Sequence, residues 1–282
     1  MDISKMSYNQ WIYNKKKASR TIPYLKSYDG KFFKLIVLKS DFDYSTRRMS
    51  EKGVVNEQKL ENNIIRAKSR IFELCVCNDW DWFITLTLDK NKYDRYNLKA
   101  YIKDLSQFLR NQSRIKGIDY KYILVPEQHQ DGAWHIHGML KGICERDMTR
   151  FKQGDNVPQK LIDGGFYNWL PYAKKFGFVS LMPLYDGDDG LIKLSSYMRK
   201  YMTKSLMETK MELGLHSFYA SQGLKGADDL KGVVSPNFEE FMNFDFKYES
   251  DFVDVYNISV EQANELMRRT NELIENGMEG AV

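Results

Sequence analysis

The chain of 282 residues carries a formal net charge of +4, and 43% of its residues are hydrophobic, which is enough to fill a core. No apolar run reaches the roughly eighteen residues of a membrane span, and the N-terminus lacks a signal-peptide core, so a cytoplasmic protein without membrane contact is expected. The three cysteines form no CxxC pair, which argues against a zinc ribbon.

Charge is distributed unevenly along the chain. Residues 1–60 contain 13 Lys and Arg against 6 Asp and Glu, whereas residues 237–282 contain 3 against 11. A basic body suits a polyanionic partner such as a nucleic acid. An ordinary solvated surface explains the same charges at least as well, so charge alone does not decide between the two.

The first half of the chain alternates predicted strands with predicted helices. Residues 1–30 are polar and basic, and we expect loosely ordered structure there. Apolar residues at helical spacing predict helices over 56–77 and 98–114. β-Branched and aromatic runs predict strands over 31–39, 81–88 and 120–125.

Two imidazoles flank a single apolar residue in the stretch 134–138. On a strand, alternate side chains point to opposite faces, so His135 and His137 would project together while Ile136 enters the core. Neutral imidazole is the commonest protein ligand for a divalent metal. The pair therefore predicts a metal platform, with a structural role in the core as the alternative.

A turn signal at residues 130–132 leaves two possible registers for the hairpin that carries the histidines. A two-residue turn would pair Glu127 with Ile136, on the face away from the imidazoles. A three-residue loop with its glycine in the left-handed region would pair Glu127 with His135. We favour the second register, because burying Glu127 beside Ile136 would be costly.

The favoured register places a carboxylate on the face of the two imidazoles. Two histidines and Glu127 form a mixed ligand set that suits Mn²⁺ or Mg²⁺ with open water positions. Zn²⁺ accepts the same ligands. His129 lies close by in the sequence, and we assign it to the surroundings of the ligands or to the surface.

The second half of the chain is less regular. Residues 145–170 are polar and contain several glycines, which indicates an insertion, and residues 212–257 are expected to be irregular. A strand is predicted over 176–183. Helices are predicted over 191–211 and from Ser259 to about residue 277, the last one with a capping box.

The predicted helix 191–211 carries a doubled Tyr-x-x-Lys pattern. Tyr197 and Tyr201 are four residues apart and would share one helix face, and Lys200 and Lys204 follow them. A tyrosine phenolate is a permitted nucleophile, and a nearby ammonium would favour it and offset charge on an attacked phosphate. Core packing explains the same residues equally simply.

Taken together, three stretches of the chain resemble the three motifs of the HUH endonucleases of the rolling-circle replication initiator type, in the family's order. The resemblance covers roughly residues 60–210. The stretches that carry it are residues 83–87, 127–137 and 197–204. The two-tyrosine form of the third motif is typical of initiators from small single-stranded DNA phages.

The resemblance implies an α+β fold, with a central five-stranded antiparallel sheet flanked by helices and extra segments at both ends. It divides the chain into a basic segment 1–55, a nuclease core 56–210 and an extension 211–282. It also implies metal-dependent nicking and rejoining of single-stranded origin DNA, at a hairpin, through a 5′-phosphotyrosine. Glu127 would be the third metal ligand, and the two tyrosines would be the nucleophiles.

Partners and rivals follow from what the chain contains. No GxxxxGK[ST] motif occurs, so no P-loop helicase is present and a separate helicase and polymerase are expected. A mobilisation relaxase or a transposase of the same superfamily is the nearest alternative, although the doubled tyrosine argues against most transposases. A non-catalytic origin-binding protein on the same scaffold is the other.

Overall fold

The computed structural model describes residues 21–39, 57–184, 216–235, 238, 247–249 and 253–279. Within them the chain is a mixed α+β protein with two antiparallel sheets, one of five and one of seven strands. The chain forms two compact units, one from residues 1–54 with 226–282 and one from 55–225. The three-segment division drawn from the sequence stays a prediction. No helix in the described ranges is long and apolar enough to cross a membrane.

The elements alternate along the chain. The strands are β1 (Thr21–Tyr28), β2 (Phe32–Lys39), β3 (Trp82–Thr87), β4 (Lys121–Gln128), β5 (Trp134–Lys141), β6 (Met148–Arg150), β7 (Tyr167–Trp169), β8 (Val179–Pro183), β9 (Tyr219–Ala220), β10 (Asp228–Lys231), β11 (Lys247–Glu249) and β12 (Val253–Ile258). The helices are α1 (Glu57–Val76), α2 (Leu98–Lys116), α3 (Gln159–Asp163), α4 (Leu170–Lys175) and α5 (Val260–Glu279).

The seven-stranded sheet belongs to the unit 55–225 and has the order β6-β7-β8-β3-β5-β4-β9. The sequence predicted a five-stranded central sheet. Two of the additional strands, β6 and β7, lie in the segment 145–170 that was expected to be an insertion without strands. Each has only three residues, which is too short for apolar alternation to reveal.

The two faces of this sheet pack against different helices, because alternate residues of each strand point to opposite sides. On one face, Ile84, Leu86 and Ile136 join the buried residues of α2 in the larger core. On the other face, residues of α1 cover one end of the strands; the buried members of that cluster are Ile71, Leu74, Cys75, Trp80, Phe83, Ile123, Val125 and Met139. The histidines of β5 lie on this second face.

The five-stranded sheet has the order β10-β1-β2-β12-β11, and α5 packs on one of its faces. The expectation of loose structure over residues 1–30 is wrong for β1, which pairs along its whole length with β2. Asp29 and Gly30 close that hairpin with positive φ angles of 54° and 70°. The expectation of irregular structure over 212–257 is wrong for β9 to β12, whose strands are short or pair with distant residues.

The helices follow the predicted periodicity more closely. α1, α2 and α5 match the predicted helices within a few residues at each end. The capping box of α5 is present, since Ser259 N donates to Gln262 Oε1 at 2.9 Å and Gln262 N donates to Ser259 Oγ at 3.2 Å. The predicted helix 191–211 lies outside the described residues.

Candidate metal and nuclease site

The hairpin of β4 and β5 has the register that the turn chemistry favoured. Glu127 is paired with His135. His129 N donates to Ala133 O at 2.8 Å and so closes a three-residue loop, in which Gly132 has a φ of 83°. That positive φ is readily available to glycine. The carboxylate of Glu127 therefore projects from the same sheet face as the two imidazoles.

The loop of this hairpin is fixed from outside by the connection between β3 and α2. Trp134 N donates to Arg95 O at 2.9 Å, and its indole Nε1 donates to Tyr96 O at 3.2 Å. Asp131 Oδ1 accepts the backbone N–H of Ala133 at 3.0 Å, and this bond is the main cause of the lowered pKa of Asp131. The loop therefore has a defined shape next to the histidines.

The neighbouring strand β3 orients both imidazole rings. Thr85 is paired with His137 and Thr87 with His135. In each pair the threonine Oγ1 lies 3.1 Å from the histidine Nδ1. When Nδ1 carries the proton and donates to the hydroxyl oxygen, Nε2 presents its lone pair to the opposite side. Such a bond fixes the tautomer and the direction of a metal-binding histidine.

Glu127 and His137 bind each other directly. Glu127 Oε2 lies 2.7 Å from His137 Nε2, and both side chains are largely shielded from solvent. In this arrangement the Nε2–H of His137 donates to the carboxylate. On its other side His137 stacks on Phe83 of the core, with ring centroids 6.2 Å apart and an interplanar angle of 19°. His137 is thus held by a carboxylate, a hydroxyl and an aromatic ring.

His135 is kept neutral by its surroundings. Partial burial lowers its pKa, and the nearby imidazoles of His129 and His137 lower it further, while Glu127 and Asp131 partly oppose them. A neutral imidazole has the lone pair that a metal requires. The His129 ring lies 5.4 Å from the His135 ring and is mostly exposed.

The donor types on this face suit a divalent cation, because two imidazoles and a carboxylate project together and the Nδ1 atoms of both rings are engaged by hydroxyls. In the described ranges, however, no group of three or more His, Cys, Asp or Glu side chains is placed so as to hold a metal ion. Glu127 is bonded to His137 instead. The chemistry of the ligand set fits a metal, and its present geometry is that of an ion pair.

The structure brings together only part of the predicted site. Glu127, His135 and His137 form one cluster, whereas the predicted catalytic residues lie outside the described residues; these are Tyr197, Lys200, Tyr201 and Lys204. The sequence analysis missed the roles of Thr85 and Thr87. Their spacing of two within a predicted strand, next to the histidine strand in the sheet, was the available signal.

Comparison with known proteins adds a family to this geometry. No curated protein and no solved structure matches the chain significantly. Residues 81–206 match the family model described as replication-associated protein ORF2. The matched range includes β3, β4 and β5 with the cluster of Glu127, His135 and His137. The match supports a chain related to the initiators of rolling-circle replication.

Proposed function

We propose that this chain starts rolling-circle replication by nicking and rejoining single-stranded origin DNA. The observation that carries the proposal is the placement of Glu127, His135 and His137 on one face of two adjacent strands, inside the range that matches the replication-associated family. A carboxylate and two oriented imidazoles are suited to phosphoryl chemistry, which needs positioning and charge stabilisation above all. The seven-stranded sheet would then contain the five-stranded HUH fold.

The proposed cofactor is Mn²⁺ or Mg²⁺, with Zn²⁺ as the less favoured choice. His135 and His137 would bind the cation through Nε2, and Glu127 would exchange its bond to His137 for a bond to the cation. A cation bound there polarises an oxygen of the scissile phosphate. The hydroxyls of Thr85 and Thr87 would hold both rings in the required tautomer throughout.

Tyr197 and Tyr201 are the proposed nucleophiles. The phenol oxygen of one bonds to phosphorus while the bond from phosphorus to the 3′ oxygen breaks. The phenol loses one proton and the departing 3′ oxygen gains one, so the step is balanced and leaves the 5′ phosphate on the tyrosine. Attack by a 3′ hydroxyl reverses the step and rejoins the strand. Lys200 and Lys204 would offset the charge on the phosphate.

Two tyrosines permit a continuous cycle. One tyrosine would cut the origin and keep the 5′ end, and the other would cut the regenerated origin and release a circle. The partners we propose are a single-stranded origin, presented as a hairpin, and a separate helicase and polymerase. The host cell cytoplasm is the proposed location.

Covalent capture tests this function directly. The full chain is incubated with Mn²⁺ and labelled single-stranded fragments of the replicon that encodes it, and adducts are resolved under denaturing conditions. We expect an adduct that survives denaturation, and sequencing of the trapped 5′ end gives the nick site. No adduct in any divalent cation, or full adduct formation by the Tyr197→Phe, Tyr201→Phe double variant, would refute the proposed chemistry.

A non-catalytic origin-binding protein is the second candidate. The bond between Glu127 and His137, in place of a preformed metal site among the described residues, is the observation that favours it. Sequence-specific DNA binding that does not need a metal, with a steep salt dependence and no adduct, would select this function over the first.

A further inference from the structure

Phe178 extends the row of site residues onto the neighbouring strand. It precedes β8, and its carbonyl accepts the N–H of Thr87 at 2.9 Å, which continues the pairing of Thr85 with Ser180. Alternate residues share a sheet face, so Phe178 lies on the face of Ser180 and Thr85. It is therefore the cross-strand neighbour of Thr87, the residue whose hydroxyl holds His135.

The Phe178 ring is supported on one side and accessible to solvent. It is 40% exposed, whereas Phe151, on which it stacks, is 7% exposed. The two rings are nearly parallel, with an interplanar angle of 11° and centroids 5.9 Å apart. Phe151 follows β6, and its N–H donates to Phe166 O. The segment 145–170 thus supplies a rigid backing for a flat aromatic surface beside the histidines.

Basic side chains occupy the segments around this aromatic pair. Lys152 follows Phe151, and Lys174 and Lys175 end α4, shortly before Phe178. Lys92 Nζ reaches Lys174 O at 3.2 Å, which brings a further positive charge to that helix. The carboxylate of Asp155, next to Lys152 in space, accepts the backbone N–H of Lys152 at 3.0 Å. Single-stranded nucleic acid is recognised by this combination of stacking ring and positive charge.

A solitary exposed phenylalanine is common on protein surfaces and requires no explanation. The position of Phe178 in the histidine row, its parallel backing and its charged surroundings distinguish it. We propose that the Phe178 ring is the stacking site for a nucleobase of single-stranded DNA, adjacent to the phosphodiester that lies over His135 and His137. The inference rests on the proposed function for the identity of the ligand, and it adds the residue that holds a base rather than a phosphate.

Binding without chemistry tests this site. Affinity is measured by fluorescence anisotropy on the full chain, without divalent cations, for two strands of equal length, one of oligothymidine and one of the same backbone lacking all bases. Phe178→Leu keeps an apolar side chain but removes the flat ring. We expect it to weaken oligothymidine binding by roughly 5- to 100-fold and to leave binding of the base-free strand unchanged.

Two variants complete the design. Phe178→Trp keeps a flat aromatic surface, so it should bind oligothymidine at least as well as the unmodified chain, and quenching of the new indole on binding would report contact with a base. Tyr248→Leu removes an aromatic ring that is 57% exposed in the other unit, and it should leave both affinities unchanged. Unfolding curves of each variant check that the fold is intact.

The outcomes separate this proposal from the nuclease function. Unchanged oligothymidine affinity in Phe178→Leu, or an equal loss for both strands, would overturn the stacking site. A base-dependent loss that Phe178→Trp restores would support it. Absence of a covalent adduct in the presence of Mn²⁺ would refute the nuclease and leave the base-dependent result standing, because the binding measurement involves neither metal nor tyrosine.

Discussion

Thr87 Oγ1 lies 3.1 Å from His135 Nδ1, across the pairing of β3 with β5, and Thr85 repeats this relationship with His137. Hydroxyls in these positions fix which ring nitrogen carries the proton. We expect Thr85→Val and Thr87→Val, which keep the branched shape but lose the hydroxyl, to weaken Mn²⁺ binding by about 10- to 100-fold each. Isothermal titration calorimetry measures the affinity.

Serine at the same positions is the matched control. Thr85→Ser and Thr87→Ser retain the hydroxyl and should keep most of the affinity. Nitrogen-15 NMR of the imidazoles reports the tautomer without any metal, so it reveals a positioning role separately from stability. Valine variants with unchanged tautomers and unchanged affinity would show that the hydroxyls do not orient the rings.

Glu127 is the carboxylate of the cluster, 2.7 Å from His137. We expect Glu127→Ala to weaken Mn²⁺ binding and adduct formation while leaving single-strand binding largely intact, because the substitution removes a metal ligand and not a DNA contact. Glu127→Gln is the stricter variant, since it preserves size and hydrogen bonding but removes the charge. Calorimetry, adduct yield and anisotropy measure the three quantities, and wild-type adduct yield in both variants would exclude Glu127 as a ligand.

Gly138 lets β4 and β5 approach closely beside the site. A Cβ atom added there would lie 2.2 Å from Ile123 O, a contact with backbone that cannot rotate away. We expect Gly138→Ala to lower the free energy of unfolding by about 1–3 kcal/mol or more through overpacking. Gly154→Ala is the comparison, since nothing lies within 4 Å of its added Cβ and only its φ of +94° opposes the change. Urea unfolding measures both, and an equal or smaller loss for Gly138→Ala would contradict the close approach.

Tyr101 and Tyr172 share a hydrogen bond between their hydroxyls inside the larger core. Both side chains are buried, and burial raises the pKa of each phenol. Tyr172→Phe leaves the Tyr101 hydroxyl without this partner, and we expect a loss of about 1–3 kcal/mol in the free energy of unfolding. The double variant with Tyr101→Phe should lose less than the sum of the two single changes, as a double-mutant cycle measures. Strict additivity would mean that the bond contributes nothing.

The sequence predicted the part of the fold that local chemistry determines. Gly132 and the loop length determined the register of Glu127 with His135, and helical spacing located α1, α2 and α5. The threonine contacts escaped because a strand pattern shows which residues share a face but not which strand lies beside it. The same limit concealed the stacking of Phe178 on Phe151, since those residues meet only through the short strands β6 and β7.

Strands built from distant pairing were the other failure. β1 and β10 to β12 lie in stretches that were expected to be loose or irregular, and their partners come from remote parts of the chain. No local pattern encodes such partners, because the stabilising contacts exist only after the chain has folded. The candidate nucleophiles Tyr197 and Tyr201 stay predictions, as they lie outside the described residues.

The pairing of β2 with β12 has a consequence for the order of events during synthesis. A ribosome releases β1 and β2 long before their partner exists, so this sheet cannot be completed until the end of translation. The unit 55–225 has all of its own strands well before then. A nascent chain can therefore assemble the histidine hairpin while the flanking sheet still waits for its last strands.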